Sequence, residues 1–392
     1  MTKSLFGYGI TTKALAKEGG WHIYDDSFKT ISKDIYGNIL LPSSQFSPEN
    51  SYLEITSPGI PPYHTLIKKA KNLISEFDYF FERAPFQIWI TGTNGKTTTT
   101  QMIHHLLKDI SDIGGNIGIP LADMDINKKI WIIEASSFQL FYTKTAKPNI
   151  FVILPLKEDH ISWHGNFENY VKAKLSPLKR MTQRDIVILP QEFEHYPTKA
   201  YKISYKNEEE LIKKFNFKNN FFQPPFLLDE VLAKSVYYIL NFKEKSLKDF
   251  QIDPHKMEKI TDSKNRIWIN DSKATNIDAS LNALKRFQNK QIYFIIGGDT
   301  KGQNFSPLFE FMKNLNIRLF IIGKNTETFE KLSKKHNIPY EISKTVQKAV
   351  NSIDKIHNKN SIAILSPACA SFDQFNSYKE RGEIFKNLVF KV

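Results

Sequence analysis

Residues Ile88 to Thr100 read IWITGTNGKTTTT, an apolar run, a glycine-bracketed turn and then a lysine followed by hydroxyls. Few segments restrict a fold so tightly, because a buried strand that must hand over to a helix through a glycine turn commits the chain to α/β layering. Backbone N–H groups of the Gly92-Thr93-Asn94-Gly95 turn and of the helix start can point at phosphate oxygens. Lys96 adds a mobile positive charge, Thr97 a hydroxyl suited to Mg²⁺, and Thr98 a further hydroxyl at the helix start. The spacing is shorter than G-x-x-x-x-G-K-[ST]: with Gly95 before the lysine, the first-glycine slot falls on Ile90, and Gly92 takes over its role. An ordinary strand-to-helix turn is the competing reading. The apolar strand before the loop and the helical spacing of Met102, Ile103, Leu106 and Leu107 after it favour a nucleotide triphosphate site.

A chain of 392 residues is too long for one ordinary core and predicts two or three domains. Its 41% hydrophobic and 13% aromatic content excludes wholesale disorder. No apolar run approaches the ~20 residues that span a bilayer, and MTKSLFGYGITTK lacks a signal-peptide core, so a cytoplasmic protein without membrane insertion is expected. The single cysteine, Cys369, leaves no internal disulfide and no cysteine-cluster metal site. The net charge of +13 is spread over every segment instead of forming a basic arm, which argues against nucleic acid; it reads most simply as the compositional bias of a chain heavy in Lys, Ile, Phe and Asn, and would also suit small anionic substrates.

Short apolar runs at 88–90, 131–133, 150–154, 186–189, 266–269, 292–296, 319–322 and 362–365 alternate with helical patterns, predicting α/β domains with largely parallel sheets. Composition shifts place boundaries near residues 74–83 and 253, giving domains 1–75, 76–252 and 253–392. Ligands in such sheets sit beyond the carboxyl ends of strands, so the residues after each run carry the chemistry.

Glu134 ends the run KIWIIE, a position from which a carboxylate can reach Mg²⁺; alternatively it caps the Ser136–Ser137 turn. LKEDH delivers His160 with two acids at another strand end, either as a second ligand or as a solvated loop. NDSKATN (270–276) concentrates groups able to hold a carboxylate or a ribose, and GGDTKG (297–302) carries Asp299 and Lys301. SPACASFDQF (366–375) is read as small and hydroxyl residues opening a helix. Together these three form a second anion-binding edge. Two such edges in one chain suggest condensation of two acidic substrates with phosphoryl transfer.

TGTNGKTTT, GGNIGIP, EASSFQL, EDH, NDSKATN, GGDTKG, LSPACASFDQF and ERG (380–382) occur in an order that resembles the Mur ligases of peptidoglycan synthesis, over nearly the whole chain. The SSFQL, NDSKATN and SPACASFDQF forms resemble the D-glutamate-adding branch. The resemblance implies three domains: an N-terminal Rossmann-like one for a UDP-sugar, a central P-loop ATPase, and a C-terminal Rossmann-like one for the amino acid. The implied substrates are UDP-N-acetylmuramoyl-L-alanine, D-glutamate and ATP with Mg²⁺, two ions, in a monomer.

Carried over residue by residue, the resemblance puts Gly7, Gly9, Asp25, Ser57, Pro58, Gly59, Asn116 and Ser136 at the UDP-sugar. Gly92 to Thr98, Lys256 and Asp271 fall to ATP, and Thr97, Glu134, His160 and Lys174 to Mg²⁺. Lys174 matches a lysine that becomes carbamylated, and a carbamate offers the hard oxygens that an amine lacks; by its own pattern it reads as a helix-surface lysine. Lys96, His160 and Lys174 are the implied catalytic set. Lys273, Thr275, Lys301, Ser371 and Tyr378 surround D-glutamate. The sequence departs from the family pattern in having Lys256 after His255 where arginine is usual, Tyr378 where phenylalanine is familiar, and no recognisable adenine-contacting asparagine pattern before Asp229.

The implied reaction is activation of the L-alanyl carboxylate as an acyl phosphate, then attack by the D-glutamate amine. Its rivals are another Mur ligase or a folylpolyglutamate synthetase-like ligase and, from another class, a nucleic-acid-stimulated P-loop ATPase.

Overall fold

The computed structural model describes residues 1–243 and 245–392 and contains three six-stranded sheets. The chain divides into two compact units, Met1–Phe250 with the first two sheets and Gln251–Val392 with the third.

Sheet one comprises β1 (Thr2–Phe6), β2 (Trp21–Asp25), β3 (Ser32–Lys33), β4 (Ile39–Pro42), β5 (Ser51–Thr56) and β6 (Leu73–Ile74), in the order β3-β4-β2-β1-β5-β6. It is parallel except for the β3–β4 pair. Sheet two holds β7 (Phe86–Thr91), β8 (Ser111–Gly115), β9 (Ile130–Glu134), β10 (Ile150–Ile153), β11 (Ile186–Pro190) and β12 (Tyr201–Tyr205), wholly parallel in the order β12-β11-β10-β7-β9-β8. Sheet three holds β13 (Glu258–Thr261), β14 (Ile267–Asn270), β15 (Gln291–Gly297), β16 (Ile317–Ile322), β17 (Tyr340–Lys344) and β18 (Ser361–Leu365), ordered β13-β14-β18-β15-β16-β17 with only β13 antiparallel.

The unbroken apolar runs became the interior strands because helices cover both faces of a parallel sheet. In sheet three, Phe294, Leu319 and Ile364 pack on one face and Ile295, Phe320 and Leu365 on the other, the two-residue alternation of a strand buried on both sides.

Within the first unit one hydrophobic cluster joins Leu5, Trp21, Ile23 and Ile55 of sheet one to Trp89, Trp131 and Phe151 of sheet two. The helix Glu76–Phe80 lies in this cluster. Ser75 and Asp78 form a capping box at its start, which satisfies two otherwise orphaned donors. Phe77 then meets Trp89 edge-on at 4.7 Å, and Phe80 meets Trp131 at 6.1 Å.

One expectation fails here. Ser366–Phe375 does not open a helix; the helix begins at Tyr378, where the Ser377 hydroxyl accepts from the Glu380 N–H. The small residues of that stretch instead form a loop folded against the 297–302 turn, with Asp299 and Ala370 exchanging both backbone hydrogen bonds at 2.9 and 3.1 Å.

Candidate active site

β7 lies between β9 and β10, so the P-loop, Glu134 and the segment leading to His160 all leave the same edge of sheet two from adjacent strands. The edge is stitched by main-chain bonds from Ala135 N–H to Ile90 O and from Leu154 N–H to Thr91 O, both 2.8 Å. Gly95 adopts the left-handed conformation (φ 84°, ψ −25°) at the start of the helix Lys96–Leu107. A Cβ there would come within 2.5 Å of both Asp229 Oδ1 and Leu154 Cδ2. Only glycine meets both demands. The Lys96 ammonium folds over the loop, donating to Gly92 O at 3.0 Å and Thr93 O at 2.9 Å. Asn94 lies in the turn, while Thr97 and Thr98 occupy the first helical turn.

Glu134 is only 1% exposed. Its Oε1 accepts from Asn116 Nδ2 at 2.7 Å, while Oε2 is buried without a partner among the described residues. The alternative role as a cap is excluded by its neighbours: Ser136 and Gln139 form a reciprocal capping box and satisfy that helix start themselves. A buried carboxylate oxygen with no donor is expensive unless something cationic meets it. The orphaned oxygen, with the Thr97 hydroxyl in the first turn of the helix after the adjacent strand's loop, therefore fits Mg²⁺. Among the described residues no cluster of three or more His, Cys, Asp or Glu side chains forms a closed metal cage. That suits an ion that takes one or two carboxylates and completes its shell with phosphates and water.

Lys174 corrects the sequence pattern. On the helix Phe167–Leu175 it is 1% exposed, and its ammonium donates to Gly92 O at 2.7 Å and Thr91 Oγ1 at 3.3 Å beneath the P-loop. Burial above all, and then the nearby Lys96 charge, pushes its pKa well below the usual lysine range, against the pull of Asp159 and Glu134. Tyr170, which the sequence reading passed over, has its ring 4.9 Å from the Lys174 ammonium and its hydroxyl 2.9 Å from Thr93 Oγ1. The i,i+4 spacing of YVKAK was the available signal, since it puts both side chains on one helical face. His160 sits at φ 53°, a backbone region disfavoured for a non-glycine residue, with its ring 4.7 Å from that of Phe138 and Nε2 3.6 Å from Asp159 Oδ2. It is a packed, half-exposed ring rather than part of a loose loop. Asp229 is a second omission: its Oδ1 accepts from Thr99 Oγ1 at 2.7 Å and so packs a second helix onto the P-loop helix.

The residues assigned to the UDP-sugar fall into two groups within this unit. Gly7, Gly9 and Ser57 converge beyond β1 and β5: a Cβ on Gly7 would sit 3.1 Å from Ser57 Cβ, and one on Gly9 would sit 3.3 Å from Ser57 Oγ. Asp25 accepts the Tyr8 N–H at 2.7 Å, which pins the glycine loop, and Pro58 and Gly59 lie in the turn closed from Ile60 N–H to Ser57 O. Asn116 and Ser136 stand instead beside Glu134 on sheet two. The Tyr142 hydroxyl donates to Ile60 O at 2.6 Å, tying the helix that follows Ser136 to the turn.

In the second unit β18 lies between β14 and β15, and again three adjacent strand ends deliver the loops of interest. Lys273 and Tyr378 meet, with the ammonium 5.6 Å from the ring centre. Thr275 and Ser371 lie on the flanking loops, and Lys301 at the exposed end of the 297–302 turn, its N–H donating to Asp299 Oδ1 at 3.1 Å. Asp271 is buried, accepting from Ser366 Oγ at 2.7 Å and Met257 N–H at 3.2 Å, and burial lifts its carboxyl to about 7. Lys256 pairs with Asp253 at 2.9 Å.

Residues 90–253 match the Mur ligase middle domain. Over its full length the chain is 51% identical to the UDP-N-acetylmuramoylalanine--D-glutamate ligase of Campylobacter jejuni subsp. jejuni serotype O:6 (strain 81116 / NCTC 11828), with all of both chains covered. The chain belongs to the Mur ligase family. The Helicobacter pylori (strain ATCC 700392 / 26695) ligase of the same name is 43% identical, again over all of both chains. The crystal structure of the MurF ligase from Thermotoga maritima in complex with ADP shares the Mur ligase fold at TM-score 0.59 and 12% identity, covering 86% of this chain and 89% of that one. Among the described residues no helix is long and apolar enough to cross a membrane.

Proposed function

We propose that this Mur ligase joins D-glutamate to the L-alanyl carboxylate of UDP-N-acetylmuramoyl-L-alanine at the expense of ATP, in peptidoglycan precursor synthesis. The observation that carries the reading is the convergence of the P-loop, Glu134, His160 and buried Lys174 at one edge of sheet two, in a chain aligned end to end with ligases of that name.

The P-loop N–H groups and Lys96 receive the phosphates of ATP and neutralise charge on the transferring phosphoryl group. A carboxylate is a poor electrophile; its oxygen takes the γ-phosphoryl group of ATP as the bond to ADP breaks, and the acyl phosphate so formed carries phosphate as a good leaving group. The D-glutamate amine attacks that carbonyl carbon, the amide C–N bond forms, the C–O bond to phosphate breaks, and the amine loses a proton. Thr97 and Glu134 would hold one Mg²⁺, with His160 and Lys174 at a second; the metal would supply Lewis-acid neutralisation of phosphate oxygens. Lys174 suits carbamylation, because its depressed pKa leaves an uncharged amine to add to CO₂ with release of one proton. Asn116 holds one oxygen of Glu134 and leaves the other for the ion. Gly7, Gly9, Asp25 and the 57–59 turn shape the UDP-sugar end. Lys273, Thr275, Lys301, Ser371 and Tyr378 give D-glutamate the cations and hydroxyls its two carboxylates need. Lys256 and Asp271 serve ATP, and the three sheets correspond to three domains, 1–75, 76–252 and 253–392. ATP and a UDP-sugar as substrates place the work in the cytoplasm.

The test is phosphate release from ATP and Mg²⁺ with UDP-N-acetylmuramoyl-L-alanine plus D-glutamate, L-glutamate, L-lysine or no amino acid. Release that needs D-glutamate and vanishes in Lys96→Ala supports the reading. Release indifferent to D-glutamate overturns it.

A further inference from the structure

The ERG segment, Glu380–Gly382, is the one sequence motif to which the proposed chemistry gives no task. We propose that Arg381 is a positioning residue for the amino-acid site, its guanidinium setting the relative placement of the three loops that carry Lys273 and Thr275, Lys301, and Ser371. The proposal rests on the D-glutamate reading of those loops.

Arg381 lies on the helix Tyr378–Val389 and is wholly buried. Its Nε donates to Ser272 Oγ at 3.0 Å and its Nη2 to Ser272 O at 2.8 Å, one residue before Lys273. The same Nη2 reaches Cys369 O at 3.1 Å, two residues before Ser371. The third loop approaches through Gly298, at φ +137°: a Cβ there would lie 3.4 Å from Arg381 Nη1 and only 2.4 Å from Ala370 O. The absence of that side chain lets the Lys301 turn close over the guanidinium and pair with Ala370. Ser272 completes the circuit by donating its hydroxyl to Tyr378 O at 2.8 Å.

These donors go to backbone and hydroxyl oxygens, and Nη1 is buried without a partner among the described residues. A buried guanidinium used this way is a poor choice for stability, because its desolvation is not repaid by a paired carboxylate. It is a good choice for geometry. A planar fork with fixed donor directions locks two loops at a set angle, which a lysine ammonium on a flexible stem cannot do.

The experiment compares Arg381→Lys, Arg381→Gln and Ser272→Ala with the parent in the D-glutamate-dependent phosphate-release assay. KM is determined separately for D-glutamate, ATP and the UDP-sugar, alongside circular dichroism and thermal melts. Arg381→Lys should raise KM for D-glutamate about tenfold or more, as expected for losing a buried hydrogen bond from a charged donor. KM for ATP and for the UDP-sugar should stay within about twofold, and Ser272→Ala should shift only the D-glutamate KM, by a smaller factor. A folded Arg381→Lys with unchanged D-glutamate KM overturns the proposal, as does a parallel rise of all three KM values with a lowered Tm. If Arg381→Gln does not fold, Arg381→Lys and Ser272→Ala carry the comparison. A parent enzyme with no dependence on D-glutamate overturns the underlying substrate reading, which this design distinguishes from a failure of positioning alone.

Discussion

Replacing Gly95 by alanine tests the P-loop geometry with a magnitude that follows from the structure. The residue sits at φ 84°, where an L side chain costs about 1–2 kcal/mol. Its new methyl would lie 2.5 Å from Asp229 Oδ1 and 2.5 Å from Leu154 Cδ2, well inside contact distance. Relieving such overpacking costs about 1–3 kcal/mol, and moving Asp229 also weakens its bond from Thr99 Oγ1. The sum, about 2–5 kcal/mol, is a factor of about 30 to 5,000 in the folding equilibrium of the first unit. Urea unfolding followed by tryptophan fluorescence reports mainly on that unit, since Trp21, Trp89, Trp131 and Trp163 lie in it and only Trp268 in the other. Gly59→Ala is the control, because a Cβ there meets nothing within 4 Å and the backbone is not left-handed; it should change stability by less than about 0.5 kcal/mol. Trimming Leu154 to alanine in the Gly95→Ala background should recover part of the loss. A Gly95→Ala protein within about 0.5 kcal/mol of the parent would refute the steric reasoning.

Glu134→Gln keeps an oxygen for Asn116 but removes the charge at the orphaned position, so Mn²⁺ affinity measured by electron paramagnetic resonance with ADP present should fall at least about tenfold; unchanged affinity would exclude Glu134 as a ligand. Incubation with ¹³C-bicarbonate should give a carbamate carbonyl resonance that is lost in Lys174→Arg, and a signal persisting in that variant would move the modification elsewhere. Asp271 carries a carboxyl raised to about 7 by burial, so the native second unit holds a proton that the unfolded chain releases near pH 4. Its contribution is fully present below pH 4 and is lost as pH rises to 7, by up to about 1.4 kcal/mol per pH unit. Asp271→Asn should flatten that slope when unfolding of the second unit is followed by hydrogen exchange of its core amides, and an identical slope in parent and variant would show that Asp271 does not titrate there.

The interior strands of sheets two and three and the loops after them were legible because each obeys a local rule, whereas the interior strands Thr2–Phe6, Trp21–Asp25 and Ser51–Thr56 of sheet one mix polar with apolar residues and gave no such signal. IWIT and KIWII are apolar on both faces, and TGTNGKT carries glycine at both positions, Gly92 and Gly95, where φ is positive and an added Cβ would collide with Leu154. Edge strands such as Ser32–Lys33, Ser111–Gly115 and Tyr201–Tyr205 escaped notice because they are short or mixed in polarity, and their pairing is supplied by neighbours far along the chain. Lys174 was misjudged as a surface residue for a related reason. A lysine between Ala173 and Leu175 looks solvated until the P-loop carbonyls that receive it are folded into place. The helix expected at Ser366 begins at Tyr378 because the intervening main chain pairs with Asp299, a partner that no local pattern announces.

The apolar cluster shared by sheets one and two has a bearing on inhibition. Any gap opened between those sheets would wet Trp21, Trp89 and Trp131, all fully buried and among the largest side chains of the core. The glycine loop beyond β1 and the P-loop beyond β7 are thus fixed marks on one caliper, and the span between them is set by tryptophans that touch no substrate. On the proposed assignment of the UDP-sugar to the first mark and of ATP to the second, a compound that bridges a diphosphate mimic and a nucleotide phosphate mimic should show a sharp optimum in tether length. One methylene too many would be felt as lost affinity rather than absorbed by the protein.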